Sequence, residues 1–141
     1  DWKAFLGLCA REAFRSRIVN YSPEIRREQC WMDRDWKGLK TLLDLLPRHN
    51  SDHSPLTRHA TVYKVILNTD GNEADAVTLV TIYRTELDGG NSHFESGQTS
   101  LFAVGKYEDR IRLDGEGGAK LVRRTVRLDT RQIGMGSHVP F

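Results

Sequence analysis

Three glycine-bearing turn signals cut the second half of the chain into four strand-like segments. They are Asn68-Thr69-Asp70-Gly71-Asn72, Asp88-Gly89-Gly90-Asn91 and Asp114-Gly115-Glu116-Gly117-Gly118. Asn, Asp and Gly tolerate the backbone angles that tight reversals need, so each cluster predicts a hairpin turn. The segments they bound run from about Arg58 to Leu67, Ala76 to Leu87, His93 to Leu113 and Leu121 to Thr130. Each shows partial period-two alternation and enrichment in β-branched residues. Sequential strands with short turns make a meander of hairpins. The third segment, about 20 residues long, exceeds what stays flat, because sheets twist and long strands bend at bulges. Gly97 and Gly105 are the expected bend points.

Such a sheet must cover at least one face, and the first half of the chain supplies the cover. Trp2, Phe5, Leu6 and Cys9 fall at i, i+3, i+4 and i+7, the pattern of an amphipathic helix. Phe14 to Tyr21 reads as a short first strand that Ser22-Pro23-Glu24 breaks. A second helix follows, capped by Asp33 or Asp35, with Trp36, Leu39, Leu42, Leu43 and Leu46 in one apolar stripe and Pro47 as its stop. Arg48 to Pro55 reads as a loop. The expected class is therefore α+β: N-terminal helices packed on a strongly curved antiparallel sheet, with residues 1–141 as one domain.

Charge narrows the function classes. The chain has 21 basic and 19 acidic residues, interleaved, for a net charge of +2. That balance argues against a nucleic-acid or membrane-surface partner. No apolar run approaches the roughly 20 residues needed to span a bilayer. Cys9 and Cys30 match no metal or redox spacing, which leaves two reduced thiols of a cytoplasmic protein or one disulfide.

No phosphate loop, nucleotide fingerprint or catalytic serine arrangement is present. His49 and His53 stand at i, i+4, but Pro47, Asn50, Ser51 and Ser54 place them in a loop. Surface histidines at chance spacing, or a metal site with Asp52, are the two readings. His59 begins a strand beside Arg58, where a structural or interface hydrogen bond competes with a proton-transfer role. Strict alternation puts Arg124 on the apolar face of Val122, Val126 and Leu128, so its charge must be paired. Asp109 or Glu108, a neighbouring subunit, or a ligand carboxylate or sulfonate are the candidate partners. If the chain were itself an enzyme, His59, Tyr63 and Asp109 would be its acid/base candidates.

Several stretches, in order, resemble the small (β) subunits of Rieske non-haem iron ring-hydroxylating oxygenases. These are Asp1 to Leu6, Leu56-Thr57-Arg58-His59-Ala60-Thr61-Val62-Tyr63, Val80-Thr81-Ile82-Tyr83-Arg84, Gly105 to Arg112, and Arg123-Arg124-Thr125-Val126-Arg127-Leu128-Asp129. Tyr21 to Arg27 and the ending Leu128 to Phe141 look more like the methanesulfonate monooxygenase branch. The resemblance implies the cone fold of the nuclear transport factor two and polyketide cyclase-like superfamily, here without the family's first helix. It implies a non-catalytic structural subunit of a multicomponent mono- or dioxygenase that hydroxylates small aromatic or sulfonated compounds with electrons from NADH. It also implies a large catalytic partner in a mixed hexamer, with the Rieske 2Fe-2S cluster and the mononuclear iron in that partner and no cofactor here. Arg58, His59 and Arg124 are then the expected subunit-interface residues. The departure of the tail after Asp129 from the naphthalene-type pattern leaves the substrate open.

Overall fold

In the computed structural model, residues 1–49, 53–87 and 96–133 are described. The turn signals act as their chemistry requires. At the first, Asn68 closes the reversal by accepting from the Glu73 and Gly71 amides through its side chain and carbonyl, while Gly71 takes φ +70°. The hairpin joins β3 (Leu56–Leu67) to β4 (Glu73–Thr85). At the third, Asp114 Oδ1 accepts from the amides of Glu116 and Gly118 at 3.1 and 2.7 Å. This turn joins β5 (Thr99–Leu113) to β6 (Ala119–Leu128). The second signal, Asp88 to Asn91, and His93 lie outside the described residues.

The sheet is larger than the four-stranded meander expected from the turns. Among the described residues it has six strands in the order β2-β1-β6-β5-β4-β3. The additions are β1 (Arg15–Ser22), expected as a short strand, and β2 (Arg27–Asp35), which the sequence reading missed. β1 runs parallel to β6, with Ile18 opposite Val126, so the sheet is antiparallel except at this seam. The physical reason is that β6 has a second edge to satisfy, and the N-terminal hairpin fills it.

The pairing register shifts at positions that do not coincide with Gly97 or Gly105, the bend points expected. Trp31, Tyr63, Phe102 and Val122 are each skipped in the pairing register. An extra residue on one strand of a pair kinks it and increases twist. Gly97 sits in the turn that precedes β5, its amide donating to Glu86 O at 2.7 Å. Gly105 is a close-approach site: a Cβ there would lie 2.3 Å from the Arg127 carbonyl oxygen.

The helices cover one face. α1 (Trp2–Leu8) is capped by Asp1, whose side chain accepts from Ala4 N–H. α2 (Trp36–His49) is capped by Asp35, which accepts from Gly38 N–H at 2.7 Å, while Asp33 is used elsewhere. Leu39, Leu43 and Leu46 form its buried stripe, as the spacing predicts. Pro47 lies inside α2 and does not stop it; it removes the amide bond to the Leu43 carbonyl and crowds that oxygen, but only Arg48 and His49 follow it in the helix. Trp36 Nε1 donates to Leu6 O at 3.2 Å and ties the helices together.

Two apolar clusters result. One joins the helices to Phe14 and Leu121; the other lies along the sheet around Ile18, Ile82, Tyr107 and Val126, and Met32 packs against both. Each fully buried aliphatic side chain contributes about 1.5–3 kcal/mol.

Candidate functional site

Directly paired residues share a sheet face, which sorts every candidate. Arg58 pairs with Ile82, Ala76 with Asp109, and Asp109 with Arg124. Since Ile82 is fully buried, this is the inner face, under the helices. Arg124 lies there as alternation predicts, with one adjustment. The bulge at Val122 brings Leu121, not Val122, into the core beside the helices.

Arg124 is paired internally. Its Nε and Nη2 donate to the two Asp109 carboxylate oxygens at 2.9 and 2.7 Å. The guanidinium also lies 4.4 Å from the Tyr107 ring centroid and 5.3 Å from that of Phe5. Burial works against the charge, but the hydrogen-bonded carboxylate outweighs it and holds the Arg124 pKa above its ordinary value. Glu108, the other candidate partner, instead meets Arg127 on the opposite face.

Trp2 and Phe5 of α1 and Leu56, Arg58, Tyr107 and Arg124 of the sheet line a concavity of about 420 Å³. The Arg58 guanidinium lies 5.8 Å from the Trp2 ring centroid. Charge and aromatic surface thus meet inside the fold. Arg124 was legible in the sequence, whereas Trp2, Phe5 and Tyr107 had no local signal marking them as its neighbours.

His59 lies on the outer face, paired with Thr81 and edge-on to the Tyr83 ring at 5.4 Å. Tyr63 is the bulged residue of β3 and is 71% exposed. His59 and Asp109 are therefore separated by the sheet itself. The structure does not bring His59, Tyr63 and Asp109 together into an acid/base site.

The outer face has two characters. Toward β2 it carries a ladder of ion pairs that the sequence reading missed: Arg15 and Arg17 with Asp33, Arg17 with Glu28, and Arg127 with Glu28 and Glu108. Toward β3 it presents His59, Ile66, Leu79 and Leu101, of which Leu79 is 46% and Leu101 59% exposed. β3 is exposed along nearly its whole length.

Among the described residues, no three His, Cys, Asp or Glu side chains cluster as metal ligands do. Cys9 is buried, donates to Phe5 O at 3.3 Å, and has its pKa pushed by burial up to about 11. Cys30 is exposed on β2, and both are free thiols. This donor set does not fit an iron–sulfur cluster, which needs thiolates or imidazoles grouped around it. The proposed triad of His49, Asp52 and His53 lies partly outside the described residues. No described helix is long and apolar enough to cross a membrane.

No family model matches the chain. It is 42% identical over 140 residues to the methanesulfonate monooxygenase hydroxylase subunit beta of Methylosulfonomonas methylovora, covering 99% of this chain and 76% of the relative. It is 32% identical over 141 residues to the 2-aminobenzenesulfonate 2,3-dioxygenase subunit beta of an Alcaligenes species, covering 100% and 87%. Among solved structures, a naphthalene 1,2-dioxygenase chain superposes with a TM-score of 0.70 at 19% identity, over 97% of this chain and 73% of that one. A ketosteroid isomerase-like protein from Erwinia carotovora atroseptica gives 0.56 at 11% identity, over 92% and 82%. The structural likenesses bear on the fold alone.

Proposed function

The chain belongs to the family of β subunits of multicomponent ring-hydroxylating-type oxygenases, and from that premise we propose that it is the structural small subunit of a cytoplasmic terminal oxygenase acting on small sulfonated or aromatic compounds. Its partner is a large catalytic subunit that carries a Rieske cluster and a mononuclear iron, receives electrons derived from NADH, and assembles with it as a mixed hexamer. The observation that carries this reading is the 42% identity, over nearly the whole chain, with a hydroxylase β subunit.

Two features of the fold support it. The described residues offer no grouped metal ligands, so the redox chemistry is assigned to the partner. The outer face toward the edge strand β3 leaves Ile66, Leu79 and Leu101 exposed, an apolar surface of the kind that a partner covers. We assign this surface, which includes His59, to subunit contacts. Arg58 and Arg124, also read as interface residues from the sequence, line the concavity under α1. A stand-alone isomerase or dehydratase using His59 and Asp109 is disfavoured by their placement on opposite faces.

Native mass spectrometry of the chain from its source cells tests the proposal. The expected species contains a large subunit in equal number, with iron present in the assembly and absent from the isolated chain. Stoichiometric iron in the isolated chain, or a homomeric species with no large partner, would sink it.

A further inference from the structure

The concavity under α1 is equipped with more than filling requires. Its walls combine three aromatic rings, Trp2, Phe5 and Tyr107, with two guanidinium groups, Arg58 and Arg124. Arg124 spends Nε and one Nη2 proton on Asp109, and among the described residues its Nη1 group makes no hydrogen bond. Arg58 has no carboxylate partner among the described residues; its recorded contact is the face of Trp2. Asp1, at the rim, is occupied in capping α1. A guanidinium held over a ring, with its donors uncommitted, matches a planar carboxylate or sulfonate, which accepts two parallel N–H bonds. The volume of about 420 Å³ suits a small organic molecule and far exceeds an inorganic anion.

We propose that this concavity binds one aromatic carboxylate or sulfonate, its ring among Trp2, Phe5 and Tyr107 and its anionic group on Arg58, with Arg124 Nη1 as a second donor. The ligand enters a site lined by the small subunit's own residues. Loading would fasten α1 to the sheet, because Trp2 and Phe5 come from the helix while Tyr107, Arg58 and Arg124 come from strands. The inference does not depend on the oxygenase assignment, since the lining residues belong to this chain alone.

The test is calorimetric titration of the full natural chain, free and in its complex, with benzenesulfonate and benzoate, and with toluene as the uncharged control. Both anions should bind, toluene should not, and the Trp2 indole N–H resonance should shift with the same saturation. Arg58→Met should weaken the anions about tenfold or more, the loss of one charge-assisted pair. Arg123→Met, on the outer face, should leave binding unchanged. Trp2→Leu provides a second variant should Arg58→Met perturb the fold, and it too should weaken binding. No binding of either anion at millimolar concentration overturns the site. So does equal affinity in the Arg58 and Trp2 variants, or resonance shifts confined to the outer face.

Discussion

Asp109 and Arg124 face one another across β5 and β6 and form a two-pronged ion pair, with the carboxylate side chain only 7% exposed and the guanidinium 21% exposed. A pair so placed contributes little against an apolar replacement, but breaking it is costly, because one charge is left without a partner. Arg124→Met, which strands the more buried carboxylate, should destabilise the fold by about 3 kcal/mol. The double variant Asp109→Leu with Arg124→Met should recover most of that loss. Urea midpoints of the four proteins close the cycle; a double variant no better than the single one would mean the cost is packing and not charge.

Acid should loosen the β1–β2 side of the sheet first. Hydrogen bonds from Arg15 and Arg127 hold Asp33 and Glu28 below the usual carboxylate range, Arg110 does the same for Asp75, and Arg131 lowers Glu24 to about 2. A depressed folded-state pKa stabilises fully above the unfolded value and is lost as pH falls through the folded one. Stability should thus be insensitive to these groups from neutrality down to about pH 5 and then decline. Hydrogen exchange as a function of pH should show β2 opening before β4. Uniform opening of all strands would contradict the assignment.

The two thiols should be chemically distinct. Cys9 is buried with its pKa raised to about 11, whereas Cys30 is exposed. The thiolate is the reactive form, so near neutral pH one equivalent should react quickly with a disulfide reagent and the second only on unfolding. Cys30→Ser should abolish the fast phase and Cys9→Ser should leave it intact.

Gly105→Ala should be among the most damaging single-methyl additions in the sheet. The new Cβ would meet the backbone oxygen of Arg127, which cannot swing aside as a side chain tip can. A loss of about 2–3 kcal/mol is expected from forced strand separation. Gly7→Ala, where a Cβ meets nothing within 4 Å, should be tolerated; equal effects in thermal melts would rule out the contact as the cause.

How much of this was legible in the sequence depends on where each signal lived. Turns announce themselves through Asn, Asp and Gly, and β3 to β6 followed from them. Strand β2 did not, because Arg27 to Asp35 is charged and almost entirely exposed, with no apolar alternation to read. Its register is held by partners on β1, such as Arg15 with Asp33, and such pairing leaves no local trace. The inward charge of Arg124 was legible from alternation alone. Its aromatic surroundings were not, since Phe5 and Tyr107 meet only when α1 lies down on the sheet. Composition points to Gly97 and Gly105 as bend points of the long strand, whereas the register shifts fall at Trp31, Tyr63, Phe102 and Val122, which carry no turn chemistry to mark them.

The parallel seam between β1 and β6 imposes an order of events on synthesis. Ile18 finds its partner Val126 only after more than a hundred further residues have been made. Until β6 leaves the ribosome, β1 and β2 pair only with each other, and a lone hairpin is marginal in water. The meander can form behind them, but its final strand then has a bare edge that any passing chain could take. Emergence of β6 is thus the moment of greatest risk for mispairing, and a nascent chain stalled before Arg123 should remain chaperone-bound and protease-sensitive.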